Sequence, residues 1–329
     1  MSQWFRSGGW RCSPLNAALC VIAIQCVEPC VFKGDGMRLF KTSILFATAL
    51  TSFYSFAVSH RTVDNPAIVG DLYYTEGRLN QPVIMILGGS EGGDFVTKSA
   101  VIRISANELV RKGYAVLSLS YFDQESPSKA IPASLTRVPL EYFEQAFNWV
   151  QTQDDLKKNT IAVYGTSRGG ELALLLASKF EFVELVVAGV PSAYAWSSYD
   201  RYRTEEAYLN LLERDPCQSS WTWGGKDVAN ICLKYSDNYS PWYKVIENED
   251  LVEQFMIPLE NSSAAILLTS ARYDTVWPSY EMSNQIMYRL ELSNYSYPFK
   301  HKSYLSDHFL HTRSWPDVSE FIELHYPPN

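Results

Sequence analysis

The chain has no cluster of lysine and arginine, and its 36 acidic residues outnumber its 28 basic ones over 329 positions. A surface of that sign repels phosphate, which argues against nucleic acid or an anionic membrane as a partner. Histidines number five (His60, His301, His308, His311, His325), and they do not stand with carboxylates at metal-ligand spacing, so neither a metal nor a cofactor is expected. There is no internal repeat and no low-complexity tract, which excludes a solenoid and a compositionally disordered chain. Cysteine is sparse too: four of the six lie in the first 36 residues (Cys12, Cys20, Cys26, Cys30), leaving Cys217 and Cys232 for the rest.

What the N-terminus does contain is the layout of a secretory signal. Met37-Arg38-Leu39-Phe40-Lys41 is basic, Thr42 to Ala57 is uncharged and mostly apolar, and small residues at Ala57-Val58-Ser59 suit cleavage before His60. The apolar stretch falls short of the roughly 20 residues of a membrane span. Residues 1–36 are expected to be an over-extended start or disordered, 37–59 a signal peptide, and 60–329 the folded domain. The competing expectation is one long membrane anchor from near Leu15. Export would leave Cys217 and Cys232 as an even pair in an oxidising compartment, able to form a disulfide. It would also leave 23 basic against 34 acidic residues, since the first 59 hold five and two.

Roughly 270 residues is ample for one large core. Short apolar runs alternate with helix-length segments. Strands are expected at Val69–Tyr74, Pro82–Leu87, Tyr114–Tyr121, Thr160–Tyr164, Val183–Val190, Ala264–Ser270 and Tyr297–Tyr304. Helices are expected at Lys98–Lys112, Leu140–Thr152, Glu171–Phe180, Pro278–Leu290 and Trp315–His325. This order predicts an α/β class with right-handed crossovers and a mostly parallel, doubly wound sheet. The interval from about 191 to 257 breaks the rhythm and is rich in Trp and Tyr. It is expected to form a lid over the carboxyl edge of the sheet, the alternative being a decorative surface insertion with its own small aromatic core.

The chemistry-bearing motif is Gly165-Thr166-Ser167-Arg168-Gly169, a G-x-S-x-G between an expected strand and an expected helix. That placement lifts a serine hydroxyl clear of the sheet beside the free N–H groups of a helix N-terminus, as a nucleophile needs. The alternative is a glycine-rich turn with a capping serine. A serine needs a base, and in a sheet of this order the base follows the last strand, which favours His308 with His311 as its rival. Asp274, after the penultimate strand, is the expected acid; Asp307 is too close in sequence to His308 to face it. An oxyanion hole would take one donor from the backbone N–H of Arg168. The other would come from the loop Gly88-Gly89-Ser90-Glu91-Gly92-Gly93, at Ser90 or else Glu91. That loop lacks a dinucleotide-binding spacing and a following Lys-Ser/Thr, so phosphate binding is not expected. The Arg168 guanidinium could face an anionic substrate group, or pair with Glu171 or meet solvent.

Taken together, Gly89–Gly93, Gly165–Leu174, Val190-Pro191-Ser192, Ile257–Glu260, Asp274–Ser279 and the loop ending at His308 resemble the acyl-CoA thioesterase / bile acid-CoA:amino acid N-acyltransferase family of α/β-hydrolases. The resemblance implies an α/β-hydrolase fold whose lid lies between the sixth and seventh strands. It also implies a Ser167–Asp274–His308 triad and cleavage of an acyl thioester or ester; the alternatives are a carboxylesterase or peptidase of the same fold, or a catalytically inactive member that binds an acyl ligand. A serine rather than a cysteine nucleophile favours hydrolysis over amino-acid conjugation.

Overall fold

The computed structural model describes residues 57–123, 125, 128–198, 217–232 and 246–328. Residues 1–36, most of the expected signal segment, and the middle of the insertion lie outside the described residues. Eight strands form one sheet: β1 (Val58–Thr62), β2 (Val69–Thr75), β3 (Val83–Leu87), β4 (Ala115–Ser120), β6 (Ile161–Thr166), β7 (Val183–Gly189), β10 (Ala265–Ala271) and β11 (Phe299–Tyr304). Their spatial order is β1-β2-β4-β3-β6-β7-β10-β11. The β1–β2 and β2–β4 pairs are antiparallel, and all others in this sheet are parallel. The mostly parallel α/β sheet is as expected, with one strand more. β1 had no signal in the sequence because its VSHRT pattern is too polar for a core strand. It also runs through the expected cleavage point before His60, pairing Val58 with Thr75 and Ser59 with Tyr74.

The parallel strands are apolar on both faces because helices cover both. Met85, Leu87, Val163 and Val186 point to one side, where α3 (Glu141–Thr152), α4 (Arg168–Lys179) and α6 (Ser279–Leu292) supply Phe143, Leu172 and Ile286. Ile84, Ile86, Ala162 and Val187 point to the other, against Val96 of α1 (Phe95–Lys98), Leu109 of α2 (Ala100–Lys112) and Ile322 of α7 (His311–His325). Gly113 ends α2 at φ 106°, a left-handed backbone that a side chain would disfavour. α7 begins four residues before the expected Trp315. Pro316 sits inside it rather than at its start, and the first turn closes on Leu310 through Arg313 and Ser314 N–H groups. α4 likewise starts at Arg168, not Glu171, since Gly169 and Gly170 let the helix begin directly under the sheet edge.

The described arms of the insertion are not a separate aromatic knot. Tyr194, Trp196, Trp221 and Ile231 are buried in the main core on the α4 side. A small second sheet joins β5 (Val138–Pro139), β8 (Trp221–Trp223) and β9 (Lys226–Asp227), and α5 (Glu249–Phe255) leads back toward β10. Cys217 and Cys232 are disulfide-bonded, with Cα atoms 4.6 Å apart. No helix among the described residues is long and apolar enough to cross a membrane.

Candidate active site

The parallel register brings the carboxyl ends of five strands to one edge. Leu87 sits opposite Gly165, Thr166 opposite Gly189, and Ala271 opposite Tyr304. The loops that follow therefore collect Gly88–Gly93, Ser167, Val190, Asp274 and His308 in one place.

Ser167 joins β6 to α4 at φ 58°, ψ −122°, a conformation costly for a residue with a Cβ. The turn is held by its neighbours: Ser167 N–H donates to Gly189 O at 2.8 Å, and Glu171 N–H donates to Ser167 O at 3.0 Å. Gly165 is required because an added Cβ there would lie 1.9 Å from Gly169 O. The Ser167 hydroxyl is 2.9 Å from His308 Nε2. His308 Nδ1 in turn lies 2.9 Å from each Asp274 oxygen. Both residues of that pair are almost wholly buried, His308 at 6% and Asp274 at 1% side-chain exposure, so water competes little for the contact.

Asp274 is itself held in place. Its Oδ1 accepts the N–H groups of Val276 and Trp277, and its Oδ2 accepts the Ser279 hydroxyl at 2.6 Å. Ser279 Oγ also accepts Ala271 N–H, tying the carboxylate to the end of β10. Trp277 lays its ring edge-on to His308 and donates its indole N–H to Val190 O. Ser279 and Trp277 stood in the Asp274–Ser279 stretch, but no role could be read for them from sequence.

The remaining histidines are engaged elsewhere. His311 opens α7, with Nε2 at 2.9 Å from Ser105 Oγ and Nδ1 against Tyr164 OH on the other side of the sheet. Burial lowers its pKa to about 4. His301 meets Ser270 Oγ at 2.6 Å and is likewise lowered to about 4, by burial and then by Arg272. His60 pairs with Asp71, and His325 packs at a tilt against the Phe321 ring. Asp307 accepts Phe309 N–H rather than facing His308.

The glycine loop passes directly beside the serine: a Cβ on Gly89 would lie 3.2 Å from Ser167 Cβ. Tyr121 OH donates to Gly88 O at 2.6 Å, and the Glu91 carboxylate accepts Gly89 N–H at 2.8 Å. Ser90 follows at the half-buried rim of this loop, and Arg168 is the first residue of α4. The Arg168 guanidinium does not face the site opening. It pairs with Glu171 at 2.8 Å, and both are buried. Glu171 is pushed up to about 7 by burial, against the opposing effects of Arg168 and two tryptophan N–H groups. Among the described residues, no group of three His, Cys, Asp or Glu could hold a metal ion.

Residues 138–309 match the family described as BAAT / acyl-CoA thioester hydrolase C terminal. The chain belongs to that family. It is similar to rat acyl-coenzyme A thioesterase 1, 28% identical over 211 residues, 64% of this chain and 44% of that protein. It is similar also to human acyl-coenzyme A thioesterase 1, 26% identical over 60% of this chain and 43% of that one. Mouse acyl-coenzyme A amino acid N-acyltransferase 1 is 31% identical over 133 residues, 40% of this chain and 29% of its own. The chain thus spans under half the length of these relatives. Among solved structures, the α/β hydrolase GrgF from Penicillium aligns with TM-score 0.52 and 14% identity, over 82% of this chain and 99% of that one. A putative dienelactone hydrolase from Klebsiella pneumoniae aligns at 0.51 and 12%, over 82% and 97%. At these identities the likeness shows the α/β-hydrolase fold alone.

Proposed function

We propose that this member of the family is a serine hydrolase that cleaves an acyl thioester or ester. The observation that carries the reading is the continuous chain of short contacts from Ser167 through His308 to Asp274. His308 Nε2 takes the hydroxyl proton as Ser167 Oγ attacks the acyl carbonyl, and the tetrahedral oxyanion is met by backbone N–H groups of Ser90 and Arg168. Asp274 keeps the imidazole in the tautomer that accepts at Nε2 and stabilises the imidazolium. The intermediate collapses, the thiolate or alkoxide leaves with the proton from His308, and an acyl-serine remains. Water then gives its proton to His308, attacks the acyl carbon, and the acid is released as that proton returns to Ser167. The partner is a small acyl compound, and the reaction needs no cofactor.

The thioester is favoured by the family and by the named relatives. A second reading, an exported esterase, rests on the Cys217–Cys232 disulfide and the signal-like segment from Met37, because disulfides belong to oxidising compartments and coenzyme A thioesters to the cytosol. The purified chain from Val58 onward, offered one acyl group as a coenzyme A thioester and as a p-nitrophenyl ester, decides between them by the kcat/KM ratio. Failure to react with a fluorophosphonate at Ser167 would overturn both.

A further inference from the structure

The first turn of α4 carries a buried ion pair with no part in the proposed chemistry. Arg168 and Glu171, three residues apart and so on one helix face, are 5% and 0% exposed. Burying such a pair costs much of what its attraction returns, and apolar residues of the same volume often serve stability as well. Its contacts explain why it is there. Arg168 Nη2 donates to Trp196 O at 3.2 Å, to Ser197 O at 3.4 Å and to the Ser220 hydroxyl. Glu171 Oε1 accepts the Trp196 backbone N–H at 3.2 Å and the Trp221 indole N–H at 2.7 Å. Each of these acceptors and donors belongs to the two arms of the insertion, and the arms are joined to one another by Ser198 N–H to Gln218 O, Ser197 N–H to Ile231 O and Ile231 N–H to Ala195 O.

The same contacts reach the loop beside Ser167. The Trp221 ring packs on Tyr121 with centroids 5.8 Å apart, and Tyr121 OH holds Gly88 O. A displaced Trp221 would therefore shift the insertion and unsupport the Gly88–Ser90 loop together.

We propose that Arg168 and Glu171 are positioning residues that lock the tryptophan-rich insertion against α4 and, through Trp221 and Tyr121, hold the Gly88–Ser90 loop in place beside Ser167. The kinetic half rests on the acyl-hydrolase reading; the structural half does not. Neither Glu171 nor Trp221 touches the reacting atoms, so their loss slows the chemistry rather than abolishing it.

The test uses Glu171→Gln, which keeps the shape and removes the counter-charge, and Trp221→Phe, which removes the same contact from the insertion side and stays informative if the first variant fails to fold. Amide hydrogen exchange in 193–198 and 218–223 is expected to speed up about tenfold or more in either variant, with β6 and β7 unchanged. With p-nitrophenyl acetate and p-nitrophenyl dodecanoate alike, kcat is expected to fall about tenfold while KM changes less than about threefold. Unchanged exchange in both arms, or an unchanged kcat for both esters, would overturn the proposal. If wild-type protein cleaves neither ester, the hydrolase reading falls, and the exchange result alone decides whether the lock exists.

Discussion

His308 Nε2 lies 2.9 Å from Ser167 Oγ although 141 residues separate them. Two loops that share only an edge of the sheet are thus held to hydrogen-bond tolerance. The backbone bonds that fix the strained Ser167 turn and the three donors to Asp274 are what hold them there.

The strain is measurable. Ser167→Ala should lose at least about a thousandfold in turnover while still folding, because the proposed nucleophile is gone and the frame is not. Ser167→Gly should be equally inactive yet more stable than the alanine variant by about 1 kcal/mol, since only glycine accepts φ 58° without cost. Thermal melts of the two variants check this. An alanine variant as stable as the glycine one would mean the turn is not strained.

Asp274→Asn should keep the fold and cut kcat by about 10⁴, by favouring the wrong imidazole tautomer. Ser279→Ala removes one donor to Asp274 Oδ2 and is expected to cost about tenfold, because two backbone N–H groups still hold Oδ1. Equal losses in the two variants would show that Ser279 does more than orient the carboxylate.

Acid should destabilise the protein through its buried histidines. His311 and His301, both lowered from 6.5 to about 4, must stay neutral in the fold but protonate freely when unfolded. The stability they contribute is complete above pH 6.5 and is lost as the pH falls toward 4. Glu171 acts oppositely: raised from 4.5 to about 7, it adds stability as the pH falls through that window. Two groups outweigh one, so Tm is expected to decline between pH 6.5 and 4. His311→Gln, which can still bond Ser105 and Tyr164, should flatten the decline, and an unchanged slope would exonerate His311.

Reduction of Cys217–Cys232 opens a fifteen-residue loop. Closing a loop of that length restricts the unfolded chain by about 3 kcal/mol, so dithiothreitol or Cys217→Ser should lower Tm by several degrees. The loss should appear first as faster exchange in the arms of the insertion. A melt indifferent to reductant would show that the bond is not formed in solution.

The alternation of strands and helices was legible along the chain because a residue's side of a strand or helix is set by local periodicity, and the glycines around Ser167 declared the turn by local sterics. The candidate set Ser167, His308 and Asp274 could be placed on loops that meet at one edge of the sheet for the same reason: each follows a recognisable strand. The choice between His308 and His311 could not be made locally, since both follow β11 within seven residues. The fold turns His311 under the sheet to Ser105 and Tyr164 and leaves His308 above it. Nor could the sequence orient Arg168. Its guanidinium is directed by Trp196 and Ser220, 28 and 52 positions away, because a buried charge goes where its counter-charge and carbonyls are. Strand β1 was hidden for a related reason: an edge strand is chosen by its partner's unpaired backbone, which leaves no hydrophobic pattern to read. Local periodicity and turn chemistry are written in neighbouring residues, whereas contacts that depend on desolvation and long-range pairing exist only once the chain has closed.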